Sequence, residues 1–176
     1  MSLRKVAEDD LELMLSWRNH PSIRASMFSQ EVIKLEDHRE WFGRESNKED
    51  SLWLLFYNEN DEPSGIIYLR GMDRLASHAF WGFYAAPSAP AGTGSTMCKE
   101  ALEYSFDVLG LHKINAEVLR SNQRSQALHK KLGFQIEDVT HAHYSTLSKY
   151  EEIIRFGLTA ESYGHRDGCS NTNSSL

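Results

Sequence analysis

The chain has 176 residues, 40% of them hydrophobic and 11% aromatic, which suffices for a single core and one domain. Against 25 acidic residues stand 19 basic ones, and the formal net charge of −6 argues against adhesion to nucleic acid or to an anionic membrane surface. Cys98 and Cys169 lie far apart with no Cys/His cluster at metal spacing around them, so neither a disulfide framework nor a metal site is expected.

Taken in chain order, Leu3–Val6 reads as a short strand. Glu8 or Asp9 then caps a helix with apolar positions Leu11, Met14, Leu15 and Trp17, and Pro21 ends it. A second helix spans about Leu35 to Arg44 and carries His38, Trp41 and Phe42. Strands follow at 51–57, 63–70 and 78–84, the first two separated by the turn formers of Asn58–Pro63. The apolar run at 51–57 is too short to cross a bilayer, and the N-terminus lacks a signal-peptide pattern, so the expected compartment is the cytoplasm. From Gly94 to Leu109 the apolar residues recur at helical intervals. Strand 113–119, helix 123–131 and strands 134–145 and 149–158 complete an α+β order, with one mixed sheet of about seven strands. Residues 1–160 make the domain; residues 161–176 are polar and expected to form a flexible tail.

Two segments carry chemistry. At Tyr84–Met97 an apolar strand enters a Pro/Gly turn, and Gly92-Thr93-Gly94 opens a helix. Unpartnered N–H groups and the positive end of the macrodipole make such a junction an anion site. The spacing matches neither G-x-G-x-x-G nor a P-loop, which weakens a hydride-transfer or nucleotide-hydrolysis reading. Downstream, a β-type run reaches Asn122, then a short helix ends at Lys131-Leu132-Gly133-Phe134.

Together these segments resemble the GCN5-related N-acetyltransferases (GNAT). The resemblance implies a mostly antiparallel, twisted sheet flanked by helices and splayed at an acetyl-CoA site, with the pyrophosphate on the glycine loop. Trp17-Arg18-Asn19, His38-Arg39-Glu40-Trp41-Phe42 and Trp81-Gly82-Phe83-Tyr84 further resemble the branch that acetylates the 4-amino group of a UDP-linked amino-dideoxy sugar in pseudaminic acid synthesis. This match covers roughly residues 3–158. Acetylation of a protein N-terminus or another small amine, and a weakly catalytic CoA-binding module, are the alternatives. The expected partner is a small-molecule amine, and a homodimer is left open.

The resemblance assigns cofactor contacts to Tyr84, Ala85, Gly92, Thr93, Gly94, Ser95, Thr96, Asn122 and His129. His129 stands where the family usually has the tyrosine that protonates the departing thiolate, and Ala89 where it has Arg or Gln. His129, Tyr84 and His38 are therefore the catalytic candidates, with Tyr144 or water as other proton donors. Arg18, His38, Arg70, Trp81 and Tyr84 are the candidates on the acceptor side: arginine for a diphosphate, histidine for the amine's proton, an aromatic ring for a base. Asn122 also reads as a helix cap.

Overall fold

The computed structural model describes residues 1–73, 75–146 and 149–168, at backbone level only for 141–146, 149–150 and 165–168. Seven strands form one sheet: β1 (Ser2–Lys5), β2 (Leu52–Tyr57), β3 (Pro63–Asp73), β4 (His78–Ala85), β5 (Lys113–Leu119), β6 (Gln135–Thr146) and β7 (Lys149–Thr159), in the order β1-β2-β3-β4-β5-β7-β6. Every pairing is antiparallel except β4–β5, where α4 (Thr93–Glu103) supplies the crossover a parallel pair requires. The remaining helices are α1 (Leu11–Arg18), α2 (Pro21–Arg24), α3 (Leu35–Glu45), α5 (Gln123–Leu132) and α6 (Ala160–Gly168).

Strand periodicity divides the core. Leu54, Phe56, Ile67, Leu69 and Trp81 face one side of the sheet and pack with Met97, Ala101 and Leu102 of α4. Their neighbours Trp53, Leu55, Ile66 and Tyr84 face the other and pack with Leu11, Met14 and Trp17 of α1 and Phe42 of α3. Each large side chain so buried contributes about 1.5–3 kcal/mol. The sheet is therefore covered on both faces, and the β4–β5 junction lies between the two layers.

Four expectations are corrected. The first helical turn is a 3₁₀ turn at Glu8–Asp10. Asp10, not Glu8 or Asp9, closes it, accepting from the Ala7 N–H at 2.8 Å and from both terminal nitrogens of Arg4 at 2.7 Å. That guanidinium holds the Asp10 carboxyl below the usual carboxylate range. Pro21 does not end the helical region but starts α2 at its first position, where its missing N–H costs nothing. The helix after the glycine loop is regular only to Glu103; residues Tyr104–Val108 form a π-type turn, closed by Leu109 N–H donating to the Tyr104 carbonyl at 3.0 Å. Finally, residues 160–168 form α6, and its Tyr163 packs on Phe106 with ring centroids 5.5 Å apart. The polar composition hid this single aromatic anchor. Residues 169–176, with Cys169, lie outside the described residues.

Candidate active site

The parallel register of β4 and β5 runs only from His78↔Lys113 to Trp81↔Ala116. Beyond that point Glu117–Leu119 of β5 pair with β7 alone, so residues 82–85 of β4 carry an open edge. This divergence opens a cleft of about 840 Å³ between the strands. Its walls include Gly82–Ala85 of β4 and the following Ala86, Ala116–Leu119 of β5, Gly92, Gly94 and Ser95 of the glycine turn, the cap residue Asn122, and Ser125 and His129 of α5.

At the mouth, Gly92 precedes α4 with φ +96°, a conformation that favours glycine. The Thr93 N–H bonds the Pro90 carbonyl, and those of Ser95 and Thr96 bond the Gly92 carbonyl. The N–H groups of Gly92 and Gly94 have no such partner among the described residues, and no acidic residue occupies the first turn of α4. Open space surrounds Gly92. This donor set fits a pyrophosphate. Asn122 is the N-cap of α5, its Oδ1 accepting from Ser125 N–H at 3.0 Å, and the residue lines the cleft as well.

The other arm of the cleft is lined by Met27 and Phe28 after α2, Trp41, Glu45 and Lys48 around α3, and Trp53, Tyr68 and Arg70 of the sheet. Trp53 stacks on Tyr68 at 4.5 Å, Trp41 meets Trp53 edge-on at 4.7 Å, and the Arg70 guanidinium lies 5.1 Å over the Tyr68 ring. Glu45 is already paired with Lys48 at 2.5 Å and Glu117 with Arg155 at 3.0 Å.

His129 is 2% exposed and spoken for at both nitrogens. Trp81 Nε1–H donates to Nε2 at 3.1 Å, which makes Nε2 the unprotonated nitrogen, and Nδ1–H then donates to the Ser125 carbonyl at 2.8 Å. The ring stacks on Phe156 at 5.2 Å. Burial pushes its pKa down to about 4, so at neutral pH the imidazole has no proton to spare. This geometry gives His129 a packing role at the end of the cleft.

The other predicted residues divide. Tyr84, Ala85, Gly92, Gly94, Ser95, Asn122 and Arg70 line the cleft; Thr93 and Thr96 belong to the same turn but do not. Arg18 and His38 stand behind the acceptor arm. Arg18 Nη2 donates to the Ser29 carbonyl at 2.7 Å, and Arg24 Nη1 to the Gln30 carbonyl at 3.1 Å. With Asn19, which bonds both N–H and carbonyl of Ile33, they fasten the segment carrying Met27 and Phe28. His38 is 3% exposed and stacked on Trp41, and burial followed by the Arg18 charge lowers its pKa. The Tyr84 hydroxyl is sealed without a partner, and burial raises its pKa. Trp81 packs with the α4 layer, stacked on Phe134, and also lines the cleft. The side chain of Tyr144 lies outside those described. Trp53, Tyr68, Met27 and Phe28 are among the cleft residues that the sequence did not single out. Cys98 is buried, and burial pushes its thiol pKa up, so it is an inert apolar filler.

A splayed parallel pair, with a glycine turn and helix N-terminus at one end and an aromatic arm at the other, defines a transferase built around an extended acyl-thioester carrier. The chain belongs to the GNAT acetyltransferases: the model of the acetyltransferase (GNAT) domain matches residues 1–135. It is an acetyl-CoA-dependent N-acetyltransferase. Among curated relatives, Acetyltransferase PseH of Campylobacter jejuni is 27% identical over 144 residues, covering 78% of this chain and 87% of the relative. Spermidine N(1)-acetyltransferase of Vibrio cholerae is 21% identical, covering 94% and 96%. The solved structure of the Vibrio cholerae spermidine N-acetyltransferase in complex with CoA and spermine superposes with a TM-score of 0.85 at 21% identity, over 92% of this chain and 96% of that one. Another structure of that enzyme, described as dodecameric, gives a TM-score of 0.78 at 20% identity, covering 94% of this chain and 96% of that one. Among the described residues no helix is long and apolar enough to cross a membrane, and no cluster of His, Cys, Asp and Glu would hold a metal ion.

Proposed function

We propose that this enzyme acetylates the amine of a nucleotide-linked amino sugar, the 4-amino group of a UDP-bound dideoxy sugar, by direct transfer within a ternary complex in the cytoplasm. The observation that carries this reading is the acceptor arm. Trp41 and Trp53 offer aromatic surface for a base, and the exposed Arg70 guanidinium has no carboxylate within ion-pair distance among the described residues. That leaves it for a diphosphate. The sequence likeness to Acetyltransferase PseH points the same way.

In this reading the pyrophosphate of acetyl-CoA lies against the Gly92 and Gly94 amides, with the hydroxyls of Thr93, Ser95 and Thr96 beside it. The pantetheine arm runs along the open edge of β4, and its amides pair with backbone groups of Tyr84 and Ala85. Asn122 holds the arm from α5. Arg18 acts on the acceptor through the segment it fastens, and His38 through Trp41.

A linear polyamine is the rival acceptor, favoured by the net charge of −6 and by the near full-length likeness to the Vibrio cholerae enzyme. A polycation wants free carboxylates along its path, however, and of the three that line the cleft Glu45 and Glu117 are neutralised by neighbours, which leaves Asp50 alone without an ion pair among the described residues. Calorimetry on the acetyl-CoA-saturated protein separates the two. Binding of UDP without measurable binding of spermidine supports the sugar acceptor; the reverse pattern overturns it.

A further inference from the structure

The reaction needs a proton for the departing sulfur, and neither His129 nor Tyr84 offers one in this fold. Tyr68 lies elsewhere in the cleft and was not among the expected site residues. It is the cross-strand partner of Gly82. A Cβ at residue 82 would collide with the Tyr68 hydroxyl, so the missing side chain of Gly82 is what lets the phenol lie across β4. Gly82 is also the first residue of β4 beyond the last β5 pair, Trp81↔Ala116. The hydroxyl therefore sits at the vertex of the splay.

Three observations make this position chemical. The Tyr68 hydroxyl has no hydrogen-bond partner among the described residues and, unlike the Tyr84 hydroxyl, is not sealed; Tyr68 lines the cleft. It stands where the two arms meet, since residues 82–85 form the open edge on one side and Trp53 and Arg70 flank it on the other. Four extended residues span roughly 13 Å, so an arm anchored at the glycine turn and laid along that edge brings its thioester to Gly82.

We infer that Tyr68 is the general acid of this enzyme, donating its phenolic proton to the sulfur of CoA. The amine nitrogen attacks the thioester carbonyl carbon and forms the C–N bond. The C–S bond breaks with its electron pair going to sulfur, and the Tyr68 O–H proton passes to that sulfur. The nitrogen sheds its extra proton to water, and water returns one to the phenolate. Burial raises the phenol's pKa while the charges of Arg70 on β3 and Arg18 on α1 pull it down, burial being the larger effect, so the group enters the reaction protonated.

This inference rests on the acetyltransferase activity and not on the acceptor's identity, so the tests need no acceptor. In the first, free CoA is bound and the ionisation of its thiol is followed by thiolate absorbance against pH. A phenol hydrogen-bonded to sulfur stabilises the thiolate, so Tyr68→Phe should raise the bound thiol's pKa by about one unit or more. In the second, CoA release from acetyl-CoA is measured under single-turnover conditions with water as acceptor, and Tyr68→Phe should slow it by about 10²-fold. Acetyl-CoA affinity and the thermal midpoint should stay at wild-type values. An unchanged thiol pKa, or release within threefold of wild type, overturns the assignment. If the acceptor proves to be a polyamine, the sugar reading fails while these outcomes stand.

Discussion

Trp81 and His129, 48 residues apart, share one hydrogen bond: the indole N–H reaches the imidazole Nε2 at 3.1 Å. That bond fixes the tautomer, because Nε2 must keep its lone pair and Nδ1 must carry the proton that the Ser125 carbonyl accepts at 2.8 Å. Protonating Nε2 would set two N–H groups against each other in a buried site. The family's usual phenol is thus replaced by a ring wedged between Phe156, Phe134 and Trp81.

From this geometry follows a stability signature. The folded pKa of about 4 lies below the unfolded value near 6.5, so on acidification the unfolded chain takes up the proton first. The contribution is fully present above about pH 6.5 and is lost as pH falls toward 4, on the order of 3 kcal/mol. Urea midpoints between pH 7 and 4 should show this slope in the wild type and a shallower one in His129→Phe, where the lowered pKa of His38 still contributes, while the unpartnered Trp81 N–H costs about 1–3 kcal/mol at neutral pH. The kcat of that variant should remain within a few-fold of wild type. A loss of about 10²-fold with intact folding would return the proton to His129.

The glycine turn makes a separate prediction. Residue 92 has φ +96°, so Gly92→Val strains the backbone, whereas at Gly94 an added Cβ meets only Leu128 at 3.7 Å. Gly94→Val therefore tests the anion site more cleanly, placing methyl groups where the pyrophosphate approaches. Acetyl-CoA affinity measured by calorimetry should fall tenfold or more, about 1.4 kcal/mol, with little change in thermal midpoint. Unaltered affinity would remove the turn from the cofactor site.

Arg18 should influence the acceptor from behind. Its contact with the Ser29 carbonyl holds the segment bearing Met27 and Phe28. Arg18→Ala should lower kcat/KM for the acceptor at least tenfold, about 1.4 kcal/mol, while acetyl-CoA affinity stays near wild type. Amide exchange across 26–33 should accelerate in the same variant. Slow exchange together with impaired acceptor kinetics would mean direct contact instead.

Arg70 separates the two acceptor classes by sign. For an anionic acceptor, Arg70→Ala should raise KM about tenfold and flatten its dependence on ionic strength. For a polycation the same change should lower KM. Steady-state kinetics at two salt concentrations distinguishes the cases.

Much of this architecture is local and therefore readable. Strand alternation, the Gly92-Thr93-Gly94 turn and the Asn122 cap each follow from a few adjacent residues, and each stands where the pattern puts it. What escaped depends on distant partners. The face that Trp81 presents is set by the pairing of β4 with β3 and β5, and the hydrogen bond that disarms His129 comes from that same tryptophan. Tyr68 reads as one more apolar strand residue until register places it opposite Gly82. Arg18 and His38 sit in motifs that suggested ligands, yet the packing of α1 and α3 turns them toward backbone carbonyls and Trp41. The single aromatic residue Tyr163 docks a segment whose composition predicted none.

The acceptor itself is tested most directly by competition. Enzyme, acetyl-CoA and equimolar UDP-linked 4-amino-dideoxy sugar and spermidine are incubated together, and the acetylated products are quantified by mass spectrometry at early times. The account predicts N-acetylation of the nucleotide sugar at least 10²-fold in excess, about 2.7 kcal/mol in relative kcat/KM. Predominant acetylspermidine, with the nucleotide sugar left unmodified, would contradict it.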